Sequence, residues 1–271
     1  MKRFNIEPIP GTAAVLEVYL RDRAYEFVDL SKRPFVLICP GGGYAWTADR
    51  EAEPIALQFV EAGYQAAILR YSVRKNNTGP LLGDTPMQEA AAAVSFAREH
   101  ANDWGIDPQK ITVIGFSAGG HLAGSLGVFW NNRERIPNGG ESSRPNAMVL
   151  SYAVISGGEK AHSDSIINLS GKSGNCPEAD AYSLEKHVGP DTSPAFIWHT
   201  YEDDCVPVEN ALLMANAMQK AHRPYALHLF THGWHGLSLA TPEVGGGPAE
   251  VQPWFALCLT WLKSMGVGTN Y

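Results

Sequence analysis

One serine stands between glycines at the point where an apolar run gives way to small residues. In Val-Ile-Gly-Phe-Ser-Ala-Gly-Gly-His-Leu-Ala-Gly, residues 113–124, Ser117 has Gly115 two positions before it and Gly119 two after. A strand that turns at once into a helix strains its corner residue, and bulky neighbours two positions away would collide there. The strain lifts the hydroxyl clear of the sheet. It also sets the hydroxyl at the positive end of the helix, where a developing oxyanion is favoured. That is the placement of a nucleophile for acyl transfer. A glycine-rich turn with a structural serine is the bland alternative, and the strand before and helix after Ser117 argue against it.

A serine nucleophile needs a base, and the base needs an acid to orient it. Two later stretches supply them in the order serine, acid, histidine. His-Thr-Tyr-Glu-Asp-Asp-Cys-Val-Pro, residues 199–207, holds Asp203 and Asp204. Thr-His-Gly-Trp-His-Gly, residues 231–236, holds His232 and His235. The spacing alone leaves both acids and both histidines as candidates. An oxyanion also needs donors, and Cys-Pro-Gly-Gly-Gly-Tyr, residues 39–44, has the glycines to bring bare N–H groups close to a substrate. Gly42, Gly43 and the N–H of Ala118 are the expected donors. Tyr44, Trp46 and Trp234 flank these loops and are expected at the mouth of the site, where flat rings with a polar edge suit the faces of a sugar.

Rival chemistries fail on context. His232-x-x-His235 read as a metal pair has no helix to align it and no third ligand in view. Gly171-Lys172-Ser173 looks like the end of a phosphate-binding loop, but Ile166 stands where that loop needs its first glycine. No cofactor and no metal are expected.

These residues must be positioned by strands and helices in alternation. Residues 13–20 read as an early strand. Buried strands are expected at 34–40, 64–72, 111–116, 147–155 and 195–200, with a last strand at 225–230. Helices are expected at 51–62, 85–103, 118–130, 209–221 and 253–265, and 105–110 reads as a turn. The pattern implies an α/β fold with a mostly parallel central sheet, helices on both faces, and chemistry at the carboxyl ends of the strands. Residues 1–271 read as one domain. Residues 156–191, rich in Gly, Ser and Asn, break the rhythm and read either as a cap or flap insertion or as a long surface loop.

The totals fit an ordinary globular protein of 271 residues, 45% hydrophobic and 18% charged. A net charge of −7 disfavours nucleic acid as a partner. No apolar run approaches a membrane span or a secretory signal, so a cytoplasmic location is expected. The four scattered cysteines are expected as free thiols. The macromolecular partner left open is a second copy of the chain, as a homodimer.

With these motifs in place, the sequence resembles the bacterial acetyl-xylan-esterase-like group of the α/β-hydrolases, also described as lipase/esterases. The likeness rests on the runs at 40–44, 51–56, 104–124, 202–210 and 232–240. It implies Asp203 as the acid, because two residues separate it from Val206-Pro207, and His235 as the base, because it stands before the last glycine of a Gly-x-His-Gly stretch, Gly233 to Gly236. It also implies that His121, in the Gly-Gly-His run, packs or supports rather than acts as base. The implied activity is hydrolysis of short acyl esters, often acetyl groups on carbohydrate, through an acyl-enzyme. Two alternatives are a small serine peptidase or acyl hydrolase of the prolyl-oligopeptidase-like group, and a non-catalytic ligand-binding homologue. The first uses an added propeller domain, which is not read here, and the second predicts a damaged triad.

Overall fold

The strands are β1 (Lys2–Ile6), β2 (Val15–Leu20), β3 (Arg33–Cys39), β4 (Gln65–Arg70), β5 (Ile106–Phe116), β6 (Ala147–Ser151), β7 (Ala195–Thr200) and β8 (Tyr225–Phe230). In the computed structural model, which describes residues 1–22 and 32–269, they form one sheet in the order β1-β2-β4-β3-β5-β6-β7-β8. Only the β1–β2 and β2–β4 pairings are antiparallel among the described residues; the rest are parallel. This is an α/β-hydrolase fold. No helix among the described residues is long and apolar enough to cross a membrane.

Alternation along the central strands feeds two cores. Phe35, Leu37 and Val113 face one side, which α2 (Thr85–Glu99), α4 (Ala118–Phe129) and α7 (Glu209–Lys220) cover with residues such as Met87, Leu122 and Met214. Val36, Ile38 and Ile114 face the other, which α1 (Glu53–Glu61) and α8 (Trp254–Ser264) cover with Ile55, Phe59 and Trp254. Strands buried on both faces need apolar residues at every position, which is why β3, β6 and β7 read as unbroken runs. Each large aliphatic or aromatic side chain buried this way stabilises the fold by roughly 1.5–3 kcal/mol. Because β3, β5, β7 and β8 are parallel, the loops that follow them emerge on one edge. Those loops carry Gly42, Ser117, Asp203 and His235.

Several elements depart from the expectation. β1 is an almost fully exposed edge strand with no apolar face to reveal it. The stretch read as a turn at 105–110 is largely part of β5, which pairs Ile106 with Arg33 before a register shift. The long helix expected at 85–103 is interrupted at His100, and α3 (Ala101–Trp104) follows. The strand expected to reach 155 ends at Ser151, and Tyr152 then takes φ 35°. Within 156–191 lie α5 (Ser163–Ser170), α6 (Pro177–Asp180) and a short turn of helix at Leu184–Lys186. Ile166, Leu169, Ala179 and Leu184 of this segment are buried, so it packs onto the body of the protein.

Candidate active site

The corner at Ser117 has the strain that its neighbours imply. Its backbone stands at φ 55° and ψ −122°, a conformation a non-glycine residue adopts only when its surroundings hold it there. A Cβ on Gly115 would lie 1.9 Å from the Gly119 carbonyl oxygen, and one on Gly119 would lie 2.1 Å from that of Cys39. The glycines therefore allow β5, α4 and the end of β3 to meet at one point. The Ser117 N–H donates to the Ser151 carbonyl at 3.0 Å, which fixes the corner to β6.

Three side chains from three loops line up on that corner. Ser117 Oγ lies 2.8 Å from His235 Nε2, and His235 Nδ1 lies 2.7 Å from Asp203 Oδ2. A carboxylate only accepts, so Nδ1 carries the imidazole proton and Nε2 is left to accept from the serine hydroxyl. The Asp203 side chain is fully buried. Burial pushes its carboxyl up, but hydrogen bonds from His199 and His235 and the Val206 N–H outweigh it, so the group sits well below the usual carboxylate range. Asp204 is exposed, and His232 is turned outward to Glu250 at 3.0 Å. With both His235 nitrogens engaged inside the site, the two histidines do not converge on one point.

The loop after β3 lies against the serine. Gly42 has φ 124°, and a Cβ there would stand 2.2 Å from the Trp46 carbonyl oxygen. The N–H groups of Gly42, Gly43 and Ala118 take no loop or turn acceptor among the described residues. That of Gly41 is used: it donates to Glu51 Oε2 at 2.7 Å. Glu51 Oε1 accepts from the Tyr152 hydroxyl at 2.8 Å, and that hydroxyl accepts from the Ser238 N–H at 2.9 Å. The Tyr152 ring also meets the His235 ring edge to face at 5.1 Å. One buried carboxyl thus ties the glycine loop to the histidine loop. Burial pushes that carboxyl up, against the hydrogen bonds from Tyr152 and Gly41.

The expectation for Tyr44 needs correcting. Its ring is buried against Tyr71, and its hydroxyl lies 2.9 Å from His121 Nδ1, so it offers no face to a ligand. A tyrosine whose hydroxyl finds an internal partner loses nothing by burial. Trp46 does line the cleft beside Ser117 and is 61% exposed. Trp234, next to His235, is 53% exposed but is not among the lining residues. His121 donates through Nε2 to the Tyr182 carbonyl at 2.8 Å and lies inside α4, away from the chemistry.

The cleft holds about 190 Å³. Its walls include residues that sequence reasoning missed. His162 and Asp164 come from the 156–191 segment. His162 Nδ1 lies 2.8 Å from Ser165 Oγ, and burial, then the neighbouring His235, holds its ring down. Asn168, buried on α5, donates to the Gly43 carbonyl at 3.0 Å and braces the glycine loop from above. No local pattern marks these residues, because each acts through a contact distant in sequence. No group of three or more metal-ligating side chains occurs among the described residues.

Comparisons with known proteins agree with this architecture. The BD-FAE family model matches residues 26–218. The chain is 39% identical over 246 residues to endo-1,4-beta-xylanase B of Butyrivibrio fibrisolvens, covering 90% of this chain and 38% of that protein. It spans 38% to 59% of the length of the curated relatives it matches. The crystal structure of an acetyl ester-xyloside bifunctional hydrolase from Caldicellulosiruptor lactoaceticus is 34% identical, with a TM-score of 0.81 over 97% of this chain and 92% of that one. That of MGS-M1, an alpha/beta hydrolase from a Medee basin deep-sea metagenome library, is 37% identical, with a TM-score of 0.79 over 98% of each chain.

Proposed function

The chain belongs to the BD-FAE family of α/β-hydrolases, and from that premise we propose that it is a serine esterase that removes short acyl groups, chiefly acetyl, from carbohydrate. The observation that carries the reading is the hydrogen-bonded line from Ser117 through His235 to Asp203, opening on a small cleft.

The geometry supports a two-step mechanism. Ser117 Oγ attacks the ester carbonyl as His235 Nε2 takes its proton. Asp203 holds the imidazole in the productive tautomer and stabilises the imidazolium that forms. The N–H groups of Gly42, Gly43 and Ala118 receive the oxyanion, where preorganised donors of this kind contribute about 3–4 kcal/mol each. The imidazolium then protonates the leaving alcohol. Water, activated by the same histidine, hydrolyses the acyl-Ser117 intermediate and restores the serine.

Size supports a short acyl group. About 190 Å³ falls below the roughly 300–1,000 Å³ of pockets that take drug-sized ligands. The likeness to an acetyl ester-xyloside hydrolase and to a xylanase supports acetylated xylan fragments as the alcohol side. The exposed rings of Trp46 and Trp234 give such a sugar apolar faces to rest on. Packed over the glycine loop, the 156–191 segment acts in this reading as a fixed cap that narrows the cleft.

The test is a series of p-nitrophenyl esters from acetyl to octanoyl, followed by acetylated xylo-oligosaccharides. Acetyl esters should turn over fastest, and acetate should be released from the oligosaccharides. A preference for octanoyl would overturn the short-acyl reading. No release from any ester would overturn the esterase itself.

A further inference from the structure

We infer that His199, on β7, is a positioning residue that fixes the Asp203 oxygen facing His235. This rests on the proposed serine mechanism and adds a fourth member to the hydrogen-bonded line. His199 Nε2 lies 2.9 Å from the Val206 carbonyl oxygen and 3.2 Å from Asp203 Oδ2. Both neighbours are acceptors, so Nε2 carries a proton; it donates to the Val206 carbonyl and turns the same edge toward Oδ2. Asp203 Oδ1 is already occupied by the Cys205 and Val206 N–H groups at 3.0 and 2.9 Å. Oδ2 therefore stands between two N–H groups, His235 bonded to it from the site side and His199 3.2 Å away on the sheet side.

The bond to the Val206 carbonyl is a structural role, and the approach to Asp203 Oδ2 goes beyond it. The His199 side chain is completely buried, and its Nδ1 finds no partner among the described residues. A buried polar atom without a partner is costly, and an apolar side chain of similar shape would avoid that cost only by leaving the Val206 carbonyl without its donor. Nor could such a side chain present an N–H to Oδ2. That N–H holds Oδ2 toward His235 and draws electron density from it. Without that N–H, Oδ2 would bond the His235 imidazolium more strongly, and His235 would become a free base only at higher pH.

The variants follow from atom positions. A glutamine amide nitrogen overlays imidazole Nε2, an asparagine amide nitrogen overlays Nδ1, and leucine supplies no donor. The measurements are kcat and KM for p-nitrophenyl acetate against pH, thermal unfolding, and the low-field proton resonance of the His235–Asp203 hydrogen bond in ligand-free protein. His199→Leu should lower kcat about tenfold, the scale of a small misplacement, with KM little changed. Its acid limb should move up by about half a pH unit or more, and the low-field resonance should persist to higher pH. His199→Gln should restore both, and His199→Asn should not. Arg50, Glu51, His162, Asp164 and Cys205 also face the cleft and stay the same in every variant. An unmoved acid limb and resonance in His199→Leu, whatever its kcat, would overturn the assignment. If the leucine variant does not fold, equal behaviour of the glutamine and asparagine variants overturns it. The resonance needs no substrate, so failure of the esterase reading stays distinguishable from failure of this one.

Discussion

The hydroxyl of Tyr44 lies 2.9 Å from Nδ1 of His121, joining the glycine loop to the helix that begins after Ser117. The contact is sealed, and burial holds His121 down at about 4. A histidine with a depressed folded value contributes stability above its ordinary value of 6.5 and loses it as pH falls through the folded one. Between those limits the unfolded chain takes up a proton that the folded chain refuses. The loss amounts to ~3 kcal/mol by pH 4. Urea unfolding of the parent and His121→Gln at pH 7 and pH 4 should show the parent losing that much more. A difference between them that stays constant with pH would remove the argument.

Ser117→Ala should lower turnover by about 10⁴-fold or more while the fold persists, as for removal of the nucleophile in comparable triads. A fluorophosphonate probe should label Ser117 in the parent and nothing in the variant. Labelling at another residue would end the reading of the corner as nucleophile.

Asp203→Asn should cost about 10⁴-fold, because an amide facing His235 Nδ1 favours the wrong tautomer. Asp204→Asn should stay within about threefold, since an exposed acid outside the line makes no such contact. His235→Ala and His232→Ala should divide in the same way. A larger loss at Asp204 or His232 in steady-state assays would reverse the assignments.

The parts of this site that were legible in sequence are those fixed locally. Gly115 and Gly119 flank Ser117 because the corner itself excludes a Cβ, whereas Asp203 was told from Asp204 only by the family resemblance. The parallel sheet was legible because strands buried on both faces cannot hide their composition. Glu51, Tyr152 and His199 were not legible. Each acts through one hydrogen bond across the fold, and a buried polar residue looks the same in sequence whether it braces a site or caps a turn. Tyr44 was misjudged for the matching reason: proximity to the glycine loop says nothing about which way the ring turns, and His121 decides that. β1 escaped because an exposed edge strand carries no apolar alternation.

Glu51→Gln tests the brace between the two loops. The carboxylate accepts from both the Gly41 N–H and the Tyr152 hydroxyl, whereas an amide has one oxygen. One donor is then left facing an NH₂ group, at a cost of about 1–3 kcal/mol. Denaturant unfolding should register that loss, and kcat should fall about tenfold or more as the Gly42 and Gly43 donors shift. A variant as stable and as active as the parent would show that the carboxyl does not hold the loop.

Three exposed rings lie on the loops that carry Gly42, Asp203 and His235. Trp46 is 61% exposed, Trp234 53% and Tyr201, two residues before Asp203, 72%. Large exposed rings on these loops offer faces that a ligand can cover. Stacking on a sugar face is worth about 0.5–1.5 kcal/mol per ring, or about two- to tenfold in binding. Trp46 lines the cleft and should matter most. Trp46→Ala should raise KM for an acetylated xylo-oligosaccharide by about that factor, and Trp234→Ala and Tyr201→Ala by less. None should change KM for p-nitrophenyl acetate comparably, because its alcohol is a single ring with no further sugar units to spread across them. Parallel kinetics on the two substrates separate the cases. Equal changes on both would mean that the rings pack loops and do not hold sugar.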